Sequence, residues 1–129
     1  MRWKCYIPST KEELQTAKTK ALTILENWGI SKEQLFDFNL ILCELLVNAG
    51  EHGNLWQRDK KVFLSIRYCS AHNLILMFVA DEGKKKIRRT TGNNLCSERG
   101  RGLLLLSELT DQYRIGCGRV WVRKEVRNE

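Results

Sequence analysis

The run from Leu40 to Ala49 is apolar at almost every position, and it limits what this chain can become more than any other stretch. A helix so apolar has to lie against a core on most of its sides. Glu44 and Asn48 interrupt the run, and His52 follows at the same spacing of four. At about 100° per residue the three fall within roughly 80° of arc on one helical face. A carboxylate and an amide in such a helix are costly unless they are paired or turned to a ligand. A lone Glu there reads best as a core residue bonded to a neighbouring loop, but three aligned polar groups at a helix end favour a site. Gly53-Asn54 would supply the left-handed residue that ends the helix.

The remaining elements follow from periodicity. Trp3, Cys5 and Ile7 alternate with Arg2, Lys4 and Tyr6 as in a half-buried strand, which Pro8 and Ser9 close. Ser9 or Thr10 caps a helix carrying Leu14, Ala17, Ala21, Leu25 and Trp28 on one stripe, and Gly29 stops it. Ser31, with Glu33 and Gln34 behind it, caps the helix that runs on to about His52. Val62, Leu64, Ile66 and Tyr68 mark a strand over 61–69. After a short turn at 70–73, LILMFVA reads as the central partner of a hairpin that Asp81-Glu82-Gly83 ends. Residues 84–99 are basic and polar without periodicity, which predicts a mobile loop. Gly100-Arg101-Gly102 opens a helix through Leu103, Leu104, Leu106 and Leu109, and Val120, Trp121 and Val122 form the last strand. The order strand, helix, helix, strand, strand, helix, strand disfavours a doubly wound parallel sheet. It favours an α+β two-layer sandwich, with three helices on one face of a mostly antiparallel sheet of four to five strands.

At 129 residues, 43% of them hydrophobic, the chain is expected to form one domain over 1–129. Its apolar runs are too short to span a bilayer and Met1-Arg2-Trp3-Lys4 leads into no signal-peptide core, so a cytoplasmic protein without a membrane partner is expected. Five cysteines without a CxxC pair read as small buried thiols in a reducing compartment. The net charge of +7 permits an acidic partner, a phosphorylated ligand or nucleic acid. No zinc-finger, RNA-recognition or helix-turn-helix signature accompanies it, and direct nucleic-acid binding is not expected. Gly100-Arg101-Gly102 lacks the third glycine and the preceding strand of a dinucleotide fingerprint, and nothing matches a phosphate loop ending in Gly-Lys-Ser/Thr. A glycine-rich helix start still offers unpaired amide donors to which a phosphate can come close.

Three boxes therefore stand in order: Glu44, Asn48 and His52-Gly53-Asn54; Asp81-Glu82-Gly83; and Arg99-Gly100-Arg101-Gly102-Leu103. Together they resemble the GHKL ATPase superfamily, of the Bergerat fold, which includes gyrase, a heat-shock chaperone and histidine kinases. The compact form is most similar to the anti-sigma-factor serine/threonine kinases of bacterial partner-switching systems. The resemblance spans nearly the whole chain, and the NAxxHGN ending is its most specific part.

That resemblance implies ATP and Mg²⁺ as cofactors. Glu44 corresponds to the general base, Asn48 to the Mg²⁺ ligand, Asp81 to the acceptor of the adenine amine, and Gly83 to the turn beside the base. Gly100 and Gly102 correspond to the glycines under the phosphates, and Lys85, Arg101, Leu103 and His52 complete the expected nucleotide site. Two departures stand out: Lys85 occupies the place of the family's second glycine, and Gly118-Arg119 the place of a threonine entering the last strand. The implied partners are a sigma factor and an anti-anti-sigma antagonist, with a homodimer possible. The alternatives are a nucleotide-dependent partner-binding module without phosphotransfer and a basic nucleic-acid-binding protein.

Overall fold

The computed structural model describes residues 1–83 and 100–126, with the backbone alone over 100–103. In β1 (Arg2–Pro8) the inward residues Trp3, Cys5 and Ile7 pack on the core, as the alternation requires. The Thr10 hydroxyl caps α1 (Lys11–Asn27) by accepting the Glu13 N–H at 3.1 Å. Leu14, Ala17, Ala21 and Leu25 are its buried stripe. Gly29, at φ +96°, turns the chain out of the helix so that the Ile30 N–H returns to the Leu25 carbonyl at 3.1 Å. Ser31 then caps α2 (Lys32–Val47), accepting the Gln34 N–H at 3.3 Å.

Regular winding of α2 stops at Val47, short of the expected end. A π-helical turn spans Asn48–Gly53 and is closed by the Asn54 N–H on the Ala49 carbonyl at 2.9 Å. Such a turn inserts an extra residue and rotates the succeeding residues away from the preceding face. Glycine permits the close packing here, since a Cβ on Gly50 would lie 2.7 Å from Leu14 Cδ1 and 2.8 Å from the Trp56 ring. The left-handed residues after it are Leu55 (φ 52°) and Trp56 (φ 53°), whereas Asn54 stays at φ −94°. The expectation of a left-handed Gly53-Asn54 is thus corrected.

The sheet is completed by β2 (Lys61–Cys69), β3 (Leu74–Ala80), β4 (Gln112–Gly116) and β5 (Arg119–Glu125), with α3 (Gly100–Leu109) preceding β4. A 3₁₀ turn at Ser70–His72 and a left-handed Asn73 (φ 51°) join β2 to β3. The strand order is β1-β2-β3-β5-β4, every neighbouring pair antiparallel. All three helices cover one face, giving the expected α+β two-layer sandwich.

Phe38, Ile41, Leu42, Leu45 and Leu46 of α2 meet Val62, Leu64, Ile66, Ile75, Met77 and Val79 of the two central strands. Each such side chain contributes about 1.5–3 kcal/mol on leaving water. The run 74–80 is apolar on both faces, but only Ile75, Met77 and Val79 reach this core. Leu74, Leu76 and Phe78 stand half-buried on the opposite face. Strand β4 escaped the sequence reading because it is a short edge element whose residues are mostly exposed. Of the thiols expected to be buried, Cys43 and Cys117 are exposed and Cys5 and Cys69 half-buried. Among the described residues no helix is long and apolar enough to cross a membrane.

Candidate functional site

Asp81 leaves the C-terminal end of β3 beside the turn joining β4 to β5. Its N–H donates to the Gly118 carbonyl at 2.9 Å, and its Oδ1 accepts the Gly83 N–H at 2.9 Å. The second bond closes an Asx turn, which fixes the carboxylate relative to its own backbone. Glycines surround it. A Cβ on Gly53 would collide with the Asp81 carboxylate, one on Gly83 with the Gly53 carbonyl, and one on Gly118 would lie 3.1 Å from Asp81 Oδ1. Gly118 also sits at φ +72°, so a side chain there would be strained in conformation and would press on the Asp81 carboxylate.

Asn54 holds this arrangement from beneath and is fully buried. Its Nδ2 donates to Ser9 Oγ at 2.8 Å and to the Lys61 carbonyl at 2.9 Å, while its Oδ1 accepts the Glu82 N–H at 2.8 Å. One amide thereby ties the exit of β1, the entry of β2 and the exit of β3 together. Glu82 adds a second tie by accepting the Lys61 N–H at 2.9 Å.

At the end of α2 the Asn48 Nδ2 donates to Glu44 Oε2 at 2.7 Å. An amide whose nitrogen is turned to a carboxylate presents its oxygen the other way, and an amide oxygen is a ligand that hard cations accept. Asn48 and Asp81 line the same cleft, with Leu45, Val79 and Val120 as apolar wall and Gly118 at its edge. The described walls enclose about 50 Å³. A nucleotide in the cleft would therefore extend beyond them, since small-molecule sites run from roughly 300 to 1,000 Å³.

Glu44, Asn48, Asp81 and Gly83 are thus drawn to one end of the sandwich. Of the expected site residues Asn48 and Asp81 line the cleft itself, whereas Glu44, Gly83 and His52 are not among its lining residues. The His52 side chain is 46% exposed, and its Nε2 lies 4.0 Å from Glu51 Oε1. Gly100, Arg101, Gly102 and Leu103 open α3 as expected, placing a helix N-terminus at that glycine box. Lys85, and with it the loop expected over 84–99, lies outside the described residues. Among the described residues no three His, Cys, Asp or Glu side chains converge as a metal cage. The sequence pattern marked Gly53-Asn54 only as a helix stop and Gly118 only as a departure from the family's threonine, and neither reading reaches the contacts they make with Ser9, Lys61, Glu82 and Asp81.

The model of the histidine kinase-like ATPase domain matches residues 7–124. The chain belongs to that family. It is an ATP-binding domain of the GHKL type, and the match runs from the end of β1 nearly to the end of β5. A search of curated proteins gave no match.

Proposed function

We propose that this domain is a serine/threonine kinase of the anti-sigma-factor type, which binds a sigma factor and phosphorylates a hydroxyl of an anti-anti-sigma antagonist. The Glu44–Asn48 hydrogen bond carries the reading. It fixes the Asn48 amide at the cleft that holds Asp81, with the Glu44 carboxylate 2.7 Å behind the amide nitrogen. Asp81 accepts the adenine amine and Gly83 keeps its carboxylate in place. The N-terminal turn of α3, with Gly100 and Gly102, offers backbone N–H groups to the phosphates.

The donor set fits Mg²⁺. One amide oxygen, with no carboxylate cage among the described residues, suits an ion that keeps waters and phosphate oxygens as its other ligands. When bound, Mg²⁺ neutralises phosphate charge, and Asn48 is the residue that would hold it. Glu44 takes the proton of the attacking Ser or Thr hydroxyl, the hydroxyl oxygen bonds to the γ-phosphorus, and ADP departs with the electrons of the broken P–O bond. The domain works in the cytoplasm, as a monomer or homodimer.

Two substitutions test this. Glu44→Gln keeps an oxygen for the Asn48 amide but abolishes basicity, so transfer of labelled phosphate to an antagonist should fall about 10²- to 10⁴-fold while calorimetric ATP affinity holds. Glu44→Ala also removes the acceptor that orients Asn48, and should weaken Mg²⁺-dependent ATP binding as well. If the wild-type domain binds ATP and a sigma factor yet transfers nothing to any antagonist, the domain is a nucleotide-dependent binding module instead.

A further inference from the structure

The face of the sheet opposite the helices carries a line of rings. Tyr6 on β1 touches Phe63 on β2 (centroids 4.9 Å apart), Phe63 touches Phe78 on β3 (5.9 Å), and Phe78 touches Trp121 on β5 (5.0 Å). The two ends of the line are the most open, Tyr6 at 68% and Trp121 at 42% exposure. Cations stand along it in register. Trp121 pairs with Arg114 on β4, and Arg67 and Arg123 flank Leu76 in the next row. At the β1 edge Arg2 is directly opposite Arg67. Like charges placed opposite one another destabilise a sheet, so this row costs stability in the free protein. Glu125 is the one carboxylate at the outward positions of the five strands. A hollow of about 600 Å³ lies here, with Arg67, Phe78, Arg114, Trp121 and Arg123 in its lining.

We infer that this face binds single-stranded nucleic acid, bases stacking on the ring line and phosphates meeting the flanking arginines. Exposed rings accept any base face, and arginines beside them track the backbone without reading sequence. A second copy of the chain would bring one cationic face against another, within a molecule already carrying +7. An acidic polypeptide would satisfy the arginines but would leave the extended ring line without a matching series of planar groups. No linear signature announces such a surface, because its residues come from five separate strands. The cleft of Asn48 and Asp81 lies at the end of the sandwich and is lined by other residues, so the inference stands apart from the kinase reading.

Fluorescence anisotropy of the full chain with a fluorescein-labelled oligothymidylate tests it, with a duplex of the same length and polyglutamate as competitors. Tyr6→Ala and Trp121→Ala should each weaken binding about ten-fold, while Trp121→Phe holds near wild type. Arg114→Gln with Arg123→Gln should flatten the slope of log K against log salt by about 1.4, at about 0.7 per phosphate contact. Tyr6, at an exposed edge position, serves if Trp121→Ala unfolds. Ring variants that bind as the wild type does would overturn the inference. So would polyglutamate that displaces the oligonucleotide charge for charge, which assigns the face to an acidic protein. A stable dimer in sedimentation that Trp121→Ala dissociates, with no oligonucleotide bound, assigns it to a second copy.

Discussion

Asn54→Ala removes one side chain that bonds three parts of the backbone and carries no chemistry itself. Three hydrogen bonds are lost, those to Ser9 Oγ and the Lys61 carbonyl and that from the Glu82 N–H. At about 1 kcal/mol net for each, the direct cost is about 3 kcal/mol, and leaving the Glu82 N–H unpaired adds about 1 more. A loss of about 4 kcal/mol is a large part of a domain's stability. With an m-value of about 2 kcal/mol/M, the urea midpoint should fall by about 2 M, read by tryptophan fluorescence and far-UV circular dichroism together. Asn54→Asp keeps the acceptor for Glu82 but replaces both donors by a buried charge facing the Lys61 carbonyl. Burial raises the pKa of such a carboxyl, so its protonated form is favoured in the folded state. This variant should be as unstable as Asn54→Ala at pH 7 and recover as the pH falls. A loss below about 1 kcal/mol for Asn54→Ala would refute the view that this amide holds the three segments together.

Gly53→Ala should move the Asp81 carboxylate, which the new methyl would strike, and weaken ATP binding at least ten-fold without loss of helical signal. Gly29→Ala is the matched control. It has nothing within 4 Å but sits at φ +96°, so it should cost roughly 1 kcal/mol of stability and leave nucleotide affinity alone. Burial pushes the Cys5 thiol above its ordinary value, against a smaller opposing effect of Lys20. Its thiolate is scarcer than that of an ordinary thiol near pH 8, and iodoacetamide mapped by mass spectrometry should modify exposed Cys43 well before Cys5. Because the folded state favours the protonated Cys5 thiol, its contribution to stability is present at neutral pH and is lost as the pH rises through the raised value.

The sequence announced what depends on period and chain order, and concealed what depends on approach. Ser31, Gly29 and the alternation of β1 and β2 act within a few residues of themselves, so helix ends, strand faces and the two-layer arrangement could be read directly. The spacing of four between Glu44 and Asn48 was also a true neighbour relation, because regular winding holds that far. Beyond Asn48 the constant pitch that such a repeat assumes no longer holds, because the chain widens at Asn48–Gly53. That widening follows from contacts between residues far apart: Gly50 against Leu14, Gly53 against Asp81, and Asn54 against Ser9. Each partner lies about thirty residues or more away, beyond what a local pattern encodes.

The same π turn brings Gly53 under Asp81 and Asn54 into the core. The HGN ending therefore serves the cleft through its glycine and asparagine, by shape and by bonding. The geometry of the nucleotide site accordingly depends on the packing of the π turn as directly as on the residues that would touch ATP.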